Sequence, residues 1–363
     1  MVTPTIAAPG AAKPTTARGR LALLALGGAC LMAGLDAALL RLEVWAPVAS
    51  PRAGDVHGLV MVLGFLGTLI SLERAQALRR RWAYLAPALL GLGGLALLTP
   101  APVVLGQLLL AEGCALFVAV YVALWRRAPR PLVAVQVLSA VLAFGGAVVA
   151  VLAGVVPAVL WLVGFVVLTI ASERAELAQV WMGPRSETRI LWLATGLALA
   201  LASALVWQVG ERLVGVALVT GAGWLLVNDV VRRQLGVRGQ RRYIAVALLA
   251  GYLNLLVAGV VLTVRGLTAG QGAYDVVVHG AFLGFGMSMV MAHAPVILPA
   301  VLGRPLPYRP VLYLPLVLLH VGLVARFTGA LAGPRTLWQT GGVMTVAALL
   351  AFVVTAAVLV VRR

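Results

Sequence analysis

Residues 56–75 read VHGLVMVLGFLGTLISLERA, and this stretch decides the fold class. It has no charged side chain between His57 and Glu73. Its length matches the about 20 apolar residues that a helix needs to cross the hydrocarbon core of a bilayer. The sequence therefore predicts a transmembrane helix over 56–73, with a histidine near one end and a Glu-Arg pair at the other.

Part of this stretch is repeated further along the chain. Residues 64–75 and 164–175 share Gly, Phe, Ile, Glu, Arg and Ala at an offset of 100 positions, and a fainter third copy begins at Gly284-Phe285. The copies fall on the second, sixth and tenth apolar runs. They are four helices apart, so all three helices run in the same direction. The repeat predicts three units of four helices with pseudo-threefold symmetry.

Apolar runs of this length recur along the whole chain. They lie near 21–41, 56–73, 82–99, 102–125, 132–153, 156–178, 189–208, 212–231, 242–264, 273–300, 309–327 and 339–361. Hydrophobic residues make up 62% of the 363 residues and charged residues 11%, whereas a soluble domain is about a quarter charged. The prediction is an all-α polytopic membrane protein. A flexible cytoplasmic tail over 1–20 precedes a single transmembrane domain of about twelve helices over 21–363.

The positive charge fixes the predicted orientation. Net charge is +17, and 22 of the 28 Lys and Arg residues fall on segments that share one side of the membrane with the N-terminus. Cytoplasmic loops are enriched in Lys and Arg, so both termini are predicted to be cytoplasmic, in the inner membrane of a cell. Topology thus explains the basic character, and the lipid bilayer rather than nucleic acid is the expected partner.

Two of the four histidines occupy matched positions. His57 opens predicted helix 2, and His279 lies early in predicted helix 10, so both imidazoles belong to the outer half of the membrane. Each has a glycine seven residues further on, Gly64 and Gly286. Two α-helical turns return to nearly the same face, so these glycines would leave room for a porphyrin edge beside each imidazole. The pattern predicts a bis-histidine haem b; the alternative is two neutral histidines bonded to neighbouring helices.

The stretch His57-Gly58-Leu59-Val60-Met61 resembles the His-Gly-x-x-Met stretch on helix 2 of haem-copper oxidase subunit I. In that family this histidine ligates the low-spin haem, its partner lies on helix 10, and twelve helices form a threefold pseudo-repeat. The resemblance implies that His57 and His279 are haem ligands. It also implies that Arg326 and Arg335, in the region of helices 11 and 12, contact the haem propionates.

The chain departs from the oxidases where they bind copper. The oxidases place copper ligands on helices 6 and 7, but residues 156–208 here contain no histidine, and Ala281 stands where they have the second histidine of a His-x-His pair. These departures argue against an oxygen-reducing centre of that kind. The chain more closely resembles the NnrS family, which are twelve-helix membrane proteins with haem and copper that are associated with nitric oxide stress. That resemblance rests on length, helix count and histidines on late helices.

The other two histidines are His293 and His320. His293 lies 14 residues after His279, about 21 Å further along a helix, and cannot serve the same iron. Three methionines precede it on the same helix, and thioether and imidazole ligands together suit Cu(I). These methionines are Met287, Met289 and Met291. One interpretation is a copper or second haem site at His293 and His320; the favoured one is core packing, in which methionines fill gaps.

The acidic residues of the helices have functional and structural interpretations. Glu73-Arg74 and Glu173-Arg174 recur at the cytoplasmic ends of predicted helices 2 and 6. They could admit protons, but charge clusters that hold the helix ends together are favoured. Asp229 is predicted to pair locally with Arg232. Glu112 has no partner on its own helix and is the better candidate for a proton-carrying carboxylate.

Two functions remain open from the sequence. The first is a haem-binding membrane protein that carries out redox or gas-ligand chemistry with a small gas ligand or a membrane or periplasmic electron donor; an oxidoreductase acting on nitric oxide or another diatomic is one form of it. The second is a twelve-helix secondary transporter. Many transporters have inverted repeats or two six-helix halves, whereas this chain repeats every four helices. Catalytic residues and the oligomeric state are not predicted.

Overall fold

The computed structural model describes residues 17–361, apart from 49, 51, 184, 208, 268–269 and 303–305. Helices occupy all twelve predicted segments. They are α1 (Ala17–Arg41), α2 (Ala53–Leu78), α3 (Leu85–Ala96), α4 (Val103–Arg127), α5 (Pro131–Ala153), α6 (Val155–Leu177), α7 (Ser186–Ala204), α8 (Gly210–Asn228), α9 (Gln240–Arg265), α10 (271–302), α11 (Tyr313–Ala332) and α12 (Arg335–Val361). Of the predicted tail, residues 17–20 belong to α1, and 1–16 lie outside the described residues.

Within the described residues, ten helices are long and apolar enough to cross a membrane, and this makes the chain a multi-pass membrane protein. The two helices outside this set are α3 and α7. Helix α3 has 12 residues, or about 18 Å of rise, which is short of the about 30 Å hydrocarbon core. Helix α7 begins with charged residues, Glu187 and Arg189.

The three helices of the sequence repeat form the centre of the bundle. The most apolar window of α2 is 67% buried, that of α6 is 78% buried and that of α10 is 72% buried, whereas the other seven spans are 33–50% buried. Surrounding helices face lipid on one side, so they expose large apolar side chains. The repeated sequence therefore marks the helices that are surrounded by protein.

Two of these central helices are interrupted by π-helical segments. In α2 the segment is Val60–Gly67 and in α10 it is Gly280–Met287, and both contain Leu-Gly-Phe at equivalent positions. The remainder of α10 consists of Gln271–His279 and Ser288–Leu302. π-Helical segments are rare and occur frequently at functional sites. Each of these begins within one turn after a histidine, His57 or His279.

Helices α11 and α12 pack closely because glycines face their backbones. A Cβ atom at Gly341 would overlap the backbone nitrogen of Arg326, whereas a Cβ at Gly196 on α7 would meet nothing within 4 Å. We expect Gly341→Ala to lower the free energy of unfolding by about 1–3 kcal/mol, because the helices must move apart. The matched Gly196→Ala variant should stay within about 0.5 kcal/mol. Thermal unfolding in detergent measures both; equal stability of the two variants would contradict this packing.

Candidate functional site

His57 is held from α1. Its Nδ1 lies 2.9 Å from the carbonyl oxygen of Gly34, which can only accept a hydrogen bond, so Nδ1 carries the proton and donates it. A Cβ at Gly34 would overlap Sδ of Met61, so the Met61 side chain packs directly against the α1 backbone at this position. Nε2 of this ring is bare, that is, without a hydrogen-bond partner among the described residues.

His279 is held in the same way from within α10. Its Nδ1 lies 2.9 Å from the carbonyl oxygen of Asp275 and 3.3 Å from Oδ1 of the same residue. Both atoms are acceptors when the carboxylate is ionised, so Nδ1 carries a proton and donates it. A carboxylate or carbonyl that fixes Nδ1–H is the usual second partner of a metal-binding histidine.

The structure places the two histidines at the same end of the bundle. His57 lies within electrostatic range of His279, Arg41 and Arg326. Among the described residues, no hydrogen bond engages Nε2 of either ring. The side chain of His279 is 16% exposed, so the pair is neither fully enclosed nor on the open surface. Two bare imidazole nitrogens thus belong to one cluster at one end of the bundle.

Arg326 belongs to this cluster, whereas Arg335 does not. Arg326 is buried and forms a bidentate pair with Asp275, from Nε to Oδ2 at 2.8 Å and from Nη2 to Oδ1 at 2.7 Å. Its guanidinium also lies over the ring of Trp338. Arg335 is 61% exposed and pairs with Glu43 at the surface. Of the two arginines predicted to contact propionates, only Arg326 is placed beside the histidines.

Asp275 is the residue of this cluster that the sequence interpretation missed. It joins His279 to Arg326 and is buried. Its signal was an acidic residue one helical turn before a histidine in an apolar run, since residues four apart on a helix are neighbours. A buried ionisable residue in a membrane span is a functional candidate by default.

The two glycines predicted to make room beside the imidazoles face different neighbours. A Cβ at Gly64 would meet the Cα of Gly94 at 3.1 Å and Sγ of Cys30 at 3.2 Å, so Gly64 packs against α1 and α3. A Cβ at Gly286 would meet Val166 on α6 and Leu66 on α2. The expectation assumed 3.6 residues per turn; π-helical geometry intervenes in both helices and changes which face position i+7 occupies. Gly64 thus packs against neighbouring helices, and the role of both glycines beside a haem stays a prediction.

A second buried cluster surrounds His293. Its Nδ1 donates to the carbonyl oxygen of Met289 at 2.9 Å, and its Nε2 is buried without a hydrogen-bond partner among the described residues. Arg174 and Asp229 lie within electrostatic range. The predicted bond to a carbonyl is confirmed, and it leaves one unsatisfied imidazole nitrogen in the interior. A buried polar atom of this kind calls for a partner such as a water or a ligand.

The sequence predicted that Asp229 pairs with its neighbour Arg232. The structure shows instead that Asp229 pairs with residues on other helices. Arg174 on α6 binds it from Nε to Oδ2 at 3.0 Å and from Nη2 to Oδ1 at 2.9 Å. Tyr252 on α9 donates to the same carboxylate at 2.5 Å. Arg174 and Asp229 are 6% and 5% exposed. The prediction failed because a bidentate, buried partner on another helix satisfies the carboxylate fully, whereas Arg232 is exposed.

His320 already has partners for both ring nitrogens. Nδ1 lies 3.1 Å from the side-chain nitrogen of Asn254, and Nε2 lies 3.0 Å from Oγ of Ser288, which itself donates to the carbonyl of Gly284. His320 therefore accepts from Asn254 and donates to Ser288, linking α9, α10 and α11. Within the described part of the chain, no three His, Cys, Asp or Glu side chains converge in an arrangement that could hold a metal ion.

The acidic residues at the other end of α2 and α6 join these helices. Arg74 lies 3.1 Å from Glu73 and 2.8 Å from Glu173. The favoured structural interpretation of the repeated Glu-Arg pairs is confirmed for Arg74 and Glu173. Glu112 is exposed on the outside of α4, so it does not lie in the interior where a proton path would run.

Comparison with known proteins identifies the family of the chain. It finds no relative of established function. No curated protein and no solved structure matches the chain. A family model described as a domain of unknown function, DUF8744, matches residues 20–361. This match covers all of the long helices from α2 to α12 and nearly all of α1. The chain therefore belongs to the DUF8744 family.

Proposed function

We propose that this protein binds a haem b between α2 and α10 and uses it for electron transfer or gas-ligand chemistry. The observation that carries the proposal is the pairing of His57 and His279. Both rings are held through Nδ1, both present a bare Nε2, and each precedes a π-helical segment of a central helix. Two imidazoles arranged in this way would hold a haem iron, and the haem would supply one-electron chemistry there.

The residues present fit such a group. His57 and His279 would hold the iron, and the Gly34 carbonyl and Asp275 would orient their rings. Arg326 would hold Asp275 in place through two hydrogen bonds. Among the described residues, the main contact between α2 and α10 lies in their later segments, Thr68–Leu78 and Ser288–Leu302, on the far side from the histidines. A bound haem supplies reversible one-electron chemistry at this position; the chain's residues set its orientation and electrostatics.

The architecture proposed with this site is twelve spans in three four-helix units, with both termini in the cytoplasm of a cell whose inner membrane holds the protein. The central position of α2, α6 and α10 supports the pseudo-threefold arrangement. The resemblance to haem-copper oxidase subunit I supports the placement of the haem at His57 and His279. The resemblance to the NnrS family, in length, helix count and histidines on late helices, supports a haem-binding membrane protein. An exogenous electron donor or a diatomic gas such as nitric oxide is the partner that a haem at this position would serve.

The experiment that tests the proposal is the absorption spectrum of the full chain purified in mild detergent. A haem with two histidine ligands gives a Soret band and, on reduction with dithionite, sharp low-spin bands. Pyridine extraction identifies the haem type and its stoichiometry. Protein that is folded, expressed with adequate haem supply and colourless contradicts the proposal.

The electrostatic role of Arg326 gives a prediction with an internal control. A nearby cation favours the reduced, electron-rich iron, and removal of Arg326 also leaves the Asp275 carboxylate uncompensated. We therefore expect Arg326→Gln to lower the haem reduction potential by roughly 50–100 mV. Arg335→Gln should leave it unchanged, because Arg335 is exposed and paired with Glu43. Redox titration of both haem-loaded variants decides this; equal shifts would contradict the assignment.

His293 supports a second site in the proposed function. A haem held by both His57 and His279 would leave no position for a gas at its iron. His293 has the one imidazole nitrogen that is buried without a partner among the described residues. We expect carbon monoxide added to reduced protein to shift part of the spectrum and His293→Ala to remove that shift. His320→Ala serves as the comparison, since both of its nitrogens are satisfied. If the purified protein contains one haem and no copper, and if its spectrum does not change with carbon monoxide, the second site is contradicted. The protein would then serve in electron transfer only.

A secondary transporter is the second candidate function. The Arg174–Asp229 pair, with Tyr252 bonded to the same carboxylate, is a buried inter-helix charge cluster near the ends of α6 and α8. Charged residues of this kind often mark ion or proton paths in transporters. The spectrum separates the two candidates. A transporter would bind no haem, and its substrate flux would depend on Asp229.

A further inference from the structure

A basic cavity lies at the N-terminal end of α9. The other end of α9 leads, through a loop, to the part of α10 that contains His279. Its volume is about 330 Å³, at the lower end of the about 300–1,000 Å³ that is usual for small-ligand sites. It opens between the start of α9 and the start of α11. The lining residues are Arg238, Gly239, Arg242, Val246, Tyr308 and Tyr313.

The charge in this cavity is uncompensated. Both arginines are exposed, and neither forms an ion pair within the described part of the chain. The first turn of α9 contains no acidic residue, and the lining has none. Guanidinium groups bind phosphate through paired, charge-assisted hydrogen bonds. Two arginines that share one cavity without a carboxylate therefore provide a binding site for an anion.

The tyrosines add fixed polar groups to the same cavity. Tyr243 is fully buried and packs edge-on against Tyr313, with ring centroids 5.3 Å apart, and against Tyr308 at 6.0 Å. Arg242 lies within electrostatic range of Tyr313. The two lining rings are thus held in position by a third, and their hydroxyl groups can donate to an anion beside Arg242.

The N-terminal end of α9 also provides hydrogen-bond donors for an anion. Gly239 has a positive φ of 80° and precedes the first residue of this 26-residue helix. The first backbone N–H groups of a helix have no partner within the helix, and they favour anions. Because Gly239 lines the cavity, these donors lie at its edge.

We propose that this cavity binds a phosphate group, carried by an anionic lipid headgroup or by a soluble phosphate. Basic pockets between transmembrane helices at the cytoplasmic side bind anionic headgroups, and positive charge predicts that this end is cytoplasmic. Val311 and Leu314, next to Tyr313 along the chain, are 47% and 62% exposed, and they offer an apolar surface to an acyl chain. This site is independent of the haem proposal.

The test measures saturable binding to the full chain in detergent by native mass spectrometry and calorimetry. The probes are dioctanoyl phosphatidylglycerol, dioctanoyl phosphatidylcholine and inorganic phosphate. Binding of phosphatidylglycerol in preference to phosphatidylcholine identifies a lipid headgroup site. Saturable binding of inorganic phosphate without a preference for the anionic lipid identifies a soluble source. No saturable binding of any probe overturns the proposal.

Matched variants locate the binding. Arg238→Gln/Arg242→Gln should weaken it at least about tenfold, since two charge-assisted contacts are lost. Arg232→Gln/Arg241→Gln removes the same charge from exposed arginines outside the cavity and should change it less than about threefold. Equal effects of the two pairs would mean non-specific attraction and would overturn the site. If the first pair does not yield folded protein, Tyr308→Phe/Tyr313→Phe keeps the charge and should weaken binding about threefold or more; unchanged binding contradicts the proposal.

Discussion

Replacing His57 or His279 with Ala should abolish the low-spin haem spectrum. An iron that keeps one axial imidazole becomes high-spin or loses the haem, so the sharp reduced bands should disappear completely in either single variant. We expect the same effect from either substitution, because each ring is fixed through Nδ1 and each has a bare Nε2. The measurement is the reduced-minus-oxidised spectrum, with haem content determined on the same sample.

The matched control for this experiment is His320→Gln. It also removes a partly buried histidine, but both nitrogens of His320 are already engaged by Asn254 and Ser288. We expect this variant to keep the wild-type low-spin bands. Size-exclusion profiles and unfolding midpoints show whether each variant is folded. If both His57→Ala and His279→Ala keep the wild-type spectrum, the ligand assignment is wrong.

Breaking the buried pair of Arg174 and Asp229 should have the largest effect on stability. In Asp229→Asn the guanidinium stays buried without its anion, and removal of one partner of a buried ion pair costs about 3–5 kcal/mol. Tyr252 would also lose a charged acceptor. We expect a large fall in the unfolding midpoint measured in detergent.

Two further variants separate a buried charge from a lost contact. Arg174→Met/Asp229→Leu removes both charges, and replacement of a buried pair by apolar residues is often neutral, so this double variant should recover most of the stability. Glu43→Gln breaks a pair whose side chains are 61% and 70% exposed, and it should cost less than about 1 kcal/mol. A double variant as unstable as Asp229→Asn would show that the pair itself, and not the unpaired charge, stabilises the bundle.

Much of the candidate site could be anticipated because its determinants are local. A run of apolar residues long enough to cross a bilayer is a property of the continuous sequence, and all twelve predicted segments are helical. The order of helices also placed His57 and His279 at the same end of the bundle. The Glu-Arg repeat likewise predicted a contact between α2 and α6, which Arg74 and Glu173 make.

What the sequence alone determined is thus the membrane class, the positions of the helices and the end of the bundle at which each polar residue lies. Tertiary structure decided which polar residues meet: Arg174 binds Asp229 from 55 residues away, and Arg326 binds Asp275 from 51 residues away. These pairings depend on the rotation of each helix about its own axis. Hydropathy does not encode that rotation when a central helix is apolar on every side. The π-helical segments change it again after each histidine, and Gly64, which lies in one of them, packs against α1 and α3.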